Sequence, residues 1–290
     1  MQRAYRCPFC DSTYVAEIAA SEPGRRRPEF VIGFAVTAED ASAKFAEWIG
    51  RGGWFCPSDL SLRAMREKQT GVYIPFWHYA FAASSCWTAS IGQYWYRTET
   101  YTVRNSQGKM ETRTRRVRET EWSPLSGRHR RYYHGYLVSA SKGLTQDESL
   151  SIQPYDLRAL RRFAPYFLAG WMSEEYTVDY AEASRIAQGE FRRREESNVA
   201  AMMPGDTYRA LQVDTEFELH ETDLVLLPVH ILSYRYRDRV FRFLVNGQTG
   251  KVAGAKPVSA IRVTVAVLLT IILLAVIALI IAAANGGGFR

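Results

Sequence analysis

The sequence predicts an α+β fold: two tandem units of antiparallel sheet plus helix, an N-terminal half zinc ribbon, and one C-terminal transmembrane helix. Three observations carry this expectation. Runs rich in threonine and aromatic residues alternate with glycine-containing turns, as pleated strands and hairpins require. Two charged stretches place apolar residues at helical spacing. The stretch VTVAVLLTIILLAVIALIIAAA, residues 263–284, contains no charge at all. The chain has 290 residues, of which 47% are hydrophobic, so it can bury a substantial core. Its four cysteines, Cys7, Cys10, Cys56 and Cys86, are too few and too irregularly spaced for a disulfide framework, and no apolar N-terminal run reads as a signal peptide.

Residues 1–20 form the first element, a partial zinc-ribbon knuckle around Cys7-Pro-Phe-Cys10. Tetrahedral zinc needs four ligands and one tight turn supplies two thiolates. Several readings stay open: completion by Cys56 and Cys86, a zinc shared between two chains, a redox pair, or a degenerate ribbon that holds no metal. Cys56 sits in an aromatic turn, WFCP, and Cys86 in an apolar run, where free cysteines ordinarily pack.

The first α+β unit is expected over residues 28–150. EFVIGFAV is an extended segment, and Thr37 followed three places on by Asp40 marks a helix start. Ala41, Phe45, Trp48 and Ile49 then share one helical face, and Gly50, Gly52 and Gly53 end it. Strand signals follow over 72–81, where Pro75 argues for an edge or a kink. QYWYRTETYTVR and KMETRTRRVRETEW, joined at Asn105-Ser106-Gln107-Gly108, read as a charged hairpin projecting from the core, with a further strand over 132–139 after a WSPLSG loop. Asp147-Glu148-Ser149 reads as a polar turn.

The second unit is expected over residues 151–258. It begins with a segment divided by Pro165 and closed by Gly170, then a strand over 174–180. A long helix over 181–203 buries Ile186, Phe191, Val199 and Met202 and leaves residues 192–196 in water. Strands over 209–220, 224–236 and 240–245 follow, with a turn at 246–250 and a closing segment to Gly254. GVYIPFWHYAF and LVLLPVHILSY share an aliphatic run, a proline and a histidine, which suggests a tandem duplication.

The apolar run at 263–284 would extend roughly 33 Å as a helix, enough for a hydrocarbon core of about 30 Å. Lys251, Lys256 and Arg262 precede it and only Arg290 follows, so the positive-inside bias places residues 1–262 in the cytoplasm behind a single C-terminal span. A net charge of +7 suits a domain held near an anionic leaflet. Arg113, Arg115, Arg116 and Arg118 are the candidate contacts for anionic lipid or an acidic partner. The same arginines, interleaved with aromatics, define the competing nucleic-acid reading.

VYIPFWHYAF, SIQPYDLRAL, FAPYFLAGW, EEYTVDYAEA and LLPVHILSYRYRDRVFRFLVNGQTGKVAG, followed by the apolar helix, together resemble a bacterial family of membrane-anchored zinc-ribbon proteins. The resemblance covers about residues 28–262. Members often carry, by transfer, the label "primosomal protein N′ (replication factor Y), superfamily II helicase". The resemblance implies a second CxxC knuckle upstream of Cys7, an inner-membrane location, and association with phage-shock-protein-A-like or flotillin-like proteins. Helicase chemistry has no footing in these residues, because Gly108-Lys109-Met110 lacks both the phosphate-cradling loop and the hydroxyl side chain.

No motif specifies an active site. His78 and His230 lie in apolar strands, where a hydrogen-bonded core histidine is expected; His129 and His134 read as part of a basic loop or strand edge. His220-Glu221-Thr222-Asp223 lacks the second histidine of a zinc-protease motif. The sequence therefore predicts a non-enzymatic, tail-anchored cytoplasmic scaffold or adaptor at the inner membrane, with a role in membrane-stress organisation, and a membrane-tethered nucleic-acid binder as the alternative.

Overall fold

A computed structural model describes residues 2–6, 13–17, 26–57, 67–104, 108–237 and 239–286. Along the chain these form β1 (Gln2–Arg6), β2 (Thr13–Glu17), β3 (Phe30–Val31), α1 (Ala38–Gly50), β4 (Glu67–Arg104), β5 (Met110–Ser139), α2 (Gln146–Ile152), β6 (Arg161–Arg162), β7 (Met172–Ser173), α3 (Tyr180–Ala201), β8 (Thr207–Tyr236), β9 (Arg239–Asn246), β10 (Val252–Gly254) and α4 (Ala260–Gly286). The architecture is mixed α/β, dominated by an eight-stranded sheet. β1 and β2 pair antiparallel with Ala4 opposite Val15. Cys7 and Cys10 lie outside the described residues.

Two compact units divide the chain, and neither follows the sequential halves 28–150 and 151–258. Unit 1 comprises residues 1–76, 139–177 and 224–290; unit 2 comprises 77–138 and 178–223. The physical reason is strand length. β4 and β8 run 38 and 30 residues, so each supplies one stretch to each core, while β5 belongs to unit 2 up to Val138.

In unit 1 the sheet order is β10, β9, β8, β3, β6. β8 pairs antiparallel with β9, His230 opposite Val245, and parallel with β3, Phe30 opposite Val225. α1 packs on this sheet because its four-residue apolar spacing presents Ala41, Phe45 and Ile49 to Leu232, Tyr234, Phe243 and Val245. Its start is the capping box that Thr37 and Asp40 predict. Thr37 Oγ1 accepts from the Asp40 amide at 3.1 Å, and Asp40 Oδ2 accepts from the Thr37 amide at 3.3 Å. The turn after β9 is organised by Asn246, which is fully buried. Its Oδ1 accepts from the amides of Gln248 and Thr249, both at 2.9 Å, and its Nδ2 donates to the carbonyls of Ile152 and Pro154.

Residues 147–149 are not a polar turn but the first part of α2. Thr145 and Glu148 form a second capping box, with reciprocal bonds of 3.3 and 3.0 Å, and Ile152 gives the helix its buried anchor. The WSPLSG segment is likewise not a loop: β5 continues through it. Pro124 is tolerated there because β5 pairs only with β4 among the described strands and is therefore an edge strand, where proline is accommodated. The strand expected at 174–180 is replaced by the short β7, where Val72 faces Met172 in parallel pairing.

His230 is the core histidine its setting predicts. Its Nε2 lies 2.8 Å from the Val36 carbonyl and donates to it, and the ring packs between Phe34 at 4.9 Å and Trp171 at 6.1 Å. Nδ1 is buried with no hydrogen-bond partner among the described residues, and burial holds the imidazole pKa below its ordinary value. The unfolded chain takes up this proton near pH 6.5 while the folded chain resists it. Stability conferred by the neutral ring is therefore complete above about pH 6.5 and falls as pH drops through the lowered folded pKa. Thermal melts across pH 5 to 8 should show this loss in the wild type and a shallower acid slope in His230→Phe.

Candidate functional site

The candidate site begins at α4. Its segment Ala260–Ala278 has a mean hydropathy of 2.8 and none of it is buried by the rest of the chain. Every large apolar side chain described between Ile261 and Ile281 is 37–77% exposed. Folding in water drives such side chains inward, at roughly 25 cal/mol per Å². A helix that instead turns leucine and isoleucine outward all round is long and apolar enough to cross a membrane. The helix extends past the 263–284 run at both ends.

Its root is fastened to the segment that follows α1. The Ser259 amide donates to the Phe55 carbonyl at 2.9 Å, and Arg262 Nη1 donates to the carbonyls of Trp54 and Cys56, each at 2.8 Å. Lys256 donates from Nζ to the carbonyls of Trp48 and Arg51 and lies 4.6 Å from the Trp48 ring centroid. Lys256 and Arg262 thus have a structural role. They satisfy orphan carbonyls at the end of α1 and in the turn after it, tying the helix to the α1 core. Cys56 is buried against the Pro257 carbonyl, which accounts for its presence as packing.

The predicted arginines lie on the β4–β5 ribbon of unit 2, and the strand alternation separates them into two sets. Arg115 is paired with Glu99 at 2.9 Å, and Arg113 with Glu111 at 3.2 Å. Arg116 and Arg118 instead lie over the rings of Tyr96 and Tyr94, at 5.0 and 4.3 Å. Arg209 of β8 lies 4.0 Å from the Trp122 ring centroid. The contacts of Tyr94 with Arg118 and Tyr96 with Arg116 descend one strand as they climb the other, as an antiparallel ribbon requires. Arg115 also approaches Tyr101, at 5.6 Å. A guanidinium over an aromatic face is attracted by the ring quadrupole and keeps N–H donors for other acceptors. Among the described ion pairs, Arg116, Arg118 and Arg209 have no carboxylate partner, whereas Arg113 and Arg115 do.

Unit 2 also contains a polar centre that sequence reasoning missed. Glu195 of α3 is fully buried. Its Oε2 accepts from Ser85 Oγ at 3.0 Å and lies 2.7 Å from His129 Nδ1, while Oε1 accepts from the Tyr133 hydroxyl. Thr215 lies 2.9 Å from Ser85, and Asn198 donates to the Tyr133 oxygen at 2.8 Å. Burial first, and then the neighbouring carboxylate, push the Tyr133 phenol up to about 12. His129 therefore belongs to a core network and not to a basic loop. The signal was available in register: Ala183, Ala187, Phe191, Glu195 and Val199 are buried at steps of four, so Glu195 falls on the packing line of a helix whose 192–196 segment looks wet.

The remaining histidines are dispersed. His78 Nδ1 lies 3.4 Å from Asp223 Oδ2, and His220 approaches Glu218 only at 4.0 Å. Among the described residues no group of three or more His, Cys, Asp or Glu is placed to hold a metal ion. Cys86 is exposed on β4.

Comparison with known proteins gives one distant likeness. The chain is 24% identical over 250 residues to the uncharacterized protein YdjG of Bacillus subtilis (strain 168), a match that covers 81% of this chain and 65% of the relative. The chain thus spans a little under two thirds of that protein's length. No family model matches the sequence, and no solved structure matches the fold.

Proposed function

We propose that this chain is a membrane-anchored, non-enzymatic adaptor, held by α4 as a single span with its two units on the cytoplasmic side of the inner membrane. The observation that carries the reading is the exposure of every described large apolar side chain of α4 together with the polar ties at its root. A helix fastened at one end and apolar over its whole surface is built to be covered by lipid. Lys251, Lys256 and Arg262 before the span supply the cytoplasmic charge bias. The zinc-ribbon resemblance, with Cys7 and Cys10 as an incomplete ligand pair, and the phage-shock-protein-A-like or flotillin-like partners belong to this reading.

The recruiting surface is the set of arginines that lie over aromatic rings, Arg116, Arg118 and Arg209, which favours an acidic protein partner. Purification of the full-length chain from native membranes should recover such a partner, and Arg116→Glu with Arg118→Glu should abolish the recovery while leaving the protein in the membrane fraction. The nucleic-acid reading is favoured by the same arginine–aromatic ribbon. It would replace the adaptor reading if the wild type bound oligonucleotides in a salt-sensitive way, the double variant did not, and no protein partner copurified.

A further inference from the structure

Two aromatic side chains at the root of α4 lie outside any core. Trp54 is 56% exposed and Phe55 48%, and their rings meet edge to face at 5.2 Å. The turn that carries them is fixed: the Cys56 amide donates to the Gly53 carbonyl at 2.8 Å, and Cys56 itself is buried. The backbone of the aromatic pair is the part of unit 1 that holds the helix, since the Trp54 carbonyl accepts from Arg262 and the Phe55 carbonyl from Ser259. These bonds place the pair beside the first turn of α4. At about 1.5 Å rise per residue, the exposed apolar surface that starts at Val263 begins within a few ångströms along the axis. Val258 and Ile261, at 64% and 77% exposure, continue the apolar character at the same level.

We propose that Trp54 and Phe55 form an interfacial aromatic anchor, seating unit 1 at the boundary between headgroups and acyl chains of the bilayer that α4 crosses. The proposal rests on the membrane-spanning reading of α4. The occupant is lipid because the pair is continuous with a lipid-facing helix. An indole also suits that depth, with an apolar body for the acyl region and an N–H for the headgroups. The Arg262 guanidinium, held between two carbonyls in the same turn, places a fixed positive charge at the level where phosphates lie. The ties at its root already fix α4 against unit 1, and the aromatic pair adds a lipid contact on the face of unit 1 that those ties turn toward the membrane.

The test uses the full-length chain in phosphatidylcholine–phosphatidylglycerol vesicles, comparing wild type with Trp54→Phe. The difference in their emission belongs to Trp54. The expected result is a blue-shifted difference spectrum, quenched strongly by lipids brominated high on the acyl chain and weakly by lipids brominated near the chain end. Retention after alkaline carbonate extraction is measured on the same vesicles. A difference spectrum that is red-shifted and unquenched in protein that carbonate leaves in the pellet overturns the anchor alone. Release by carbonate overturns the membrane-spanning reading and the anchor with it.

Discussion

Glu195→Ala should destabilise unit 2 by about 2–5 kcal/mol, the cost of a buried void together with buried donors left without their acceptor. The carboxylate is itself fully buried; it accepts from Ser85 and Tyr133 and lies 2.7 Å from Nδ1 of the partly buried His129. Alanine would leave those donors buried and unsatisfied and open a void on the packing line between Phe191 and Val199. Glu195→Gln separates charge from shape. It keeps the volume and an acceptor for Tyr133, but it turns an amide N–H₂ toward Ser85 and His129, so a smaller loss of roughly 1–3 kcal/mol is expected. Amide hydrogen exchange of α3 reads both directly. Protection should fall most in Glu195→Ala, while α1 in unit 1 keeps its own. Equal protection in wild type and Glu195→Ala would mean that the network is dispensable and that α3 is held by Phe191 and Val199 alone.

The elements legible in the sequence are those whose signals are local. Thr37 with Asp40 marks the start of α1, the apolar 263–284 run marks α4, and Asn246 to Gly250 marks the turn after β9, because capping, hydropathy and turn chemistry act over a few residues. The same logic applied to Thr145 and Glu148 would have found α2. What was not legible is long-range. That β4 and β8 each supply a stretch to both units depends on strand pairing between segments far apart in the chain, and Pro124 masked the continuity of β5. The candidate site divides in the same way. The basic character of the 113–118 segment can be read directly, as can the Arg113–Glu111 pair two residues apart on β5, but which arginines meet Glu99, Tyr94 and Tyr96 is set by cross-strand register. The ties from Arg262 to Trp54 and Cys56 span 208 and 206 residues of chain, beyond any local pattern.

Leu273→Arg combined with Leu274→Arg should remove the protein from the membrane fraction. Both positions are near the middle of α4, and both side chains are more than half exposed, so neither contributes packing to unit 1. In water the double change is therefore close to neutral for folding, and thermal melts of the two units should be unchanged. In a bilayer each arginine at the helix centre costs about 2.5–3.5 kcal/mol, so the pair opposes insertion by roughly 5–7 kcal/mol. An arginine at Val263 provides the control: near the end of the span its guanidinium can snorkel to the headgroups, and retention should be nearly that of wild type. This depth dependence separates lipid from a protein groove as the cover of α4. A groove responds to which face of the helix is charged, while a bilayer responds to how far along the axis the charge lies. If Val263→Arg and the central pair released the protein equally, the helix would be covered by a partner and not by lipid.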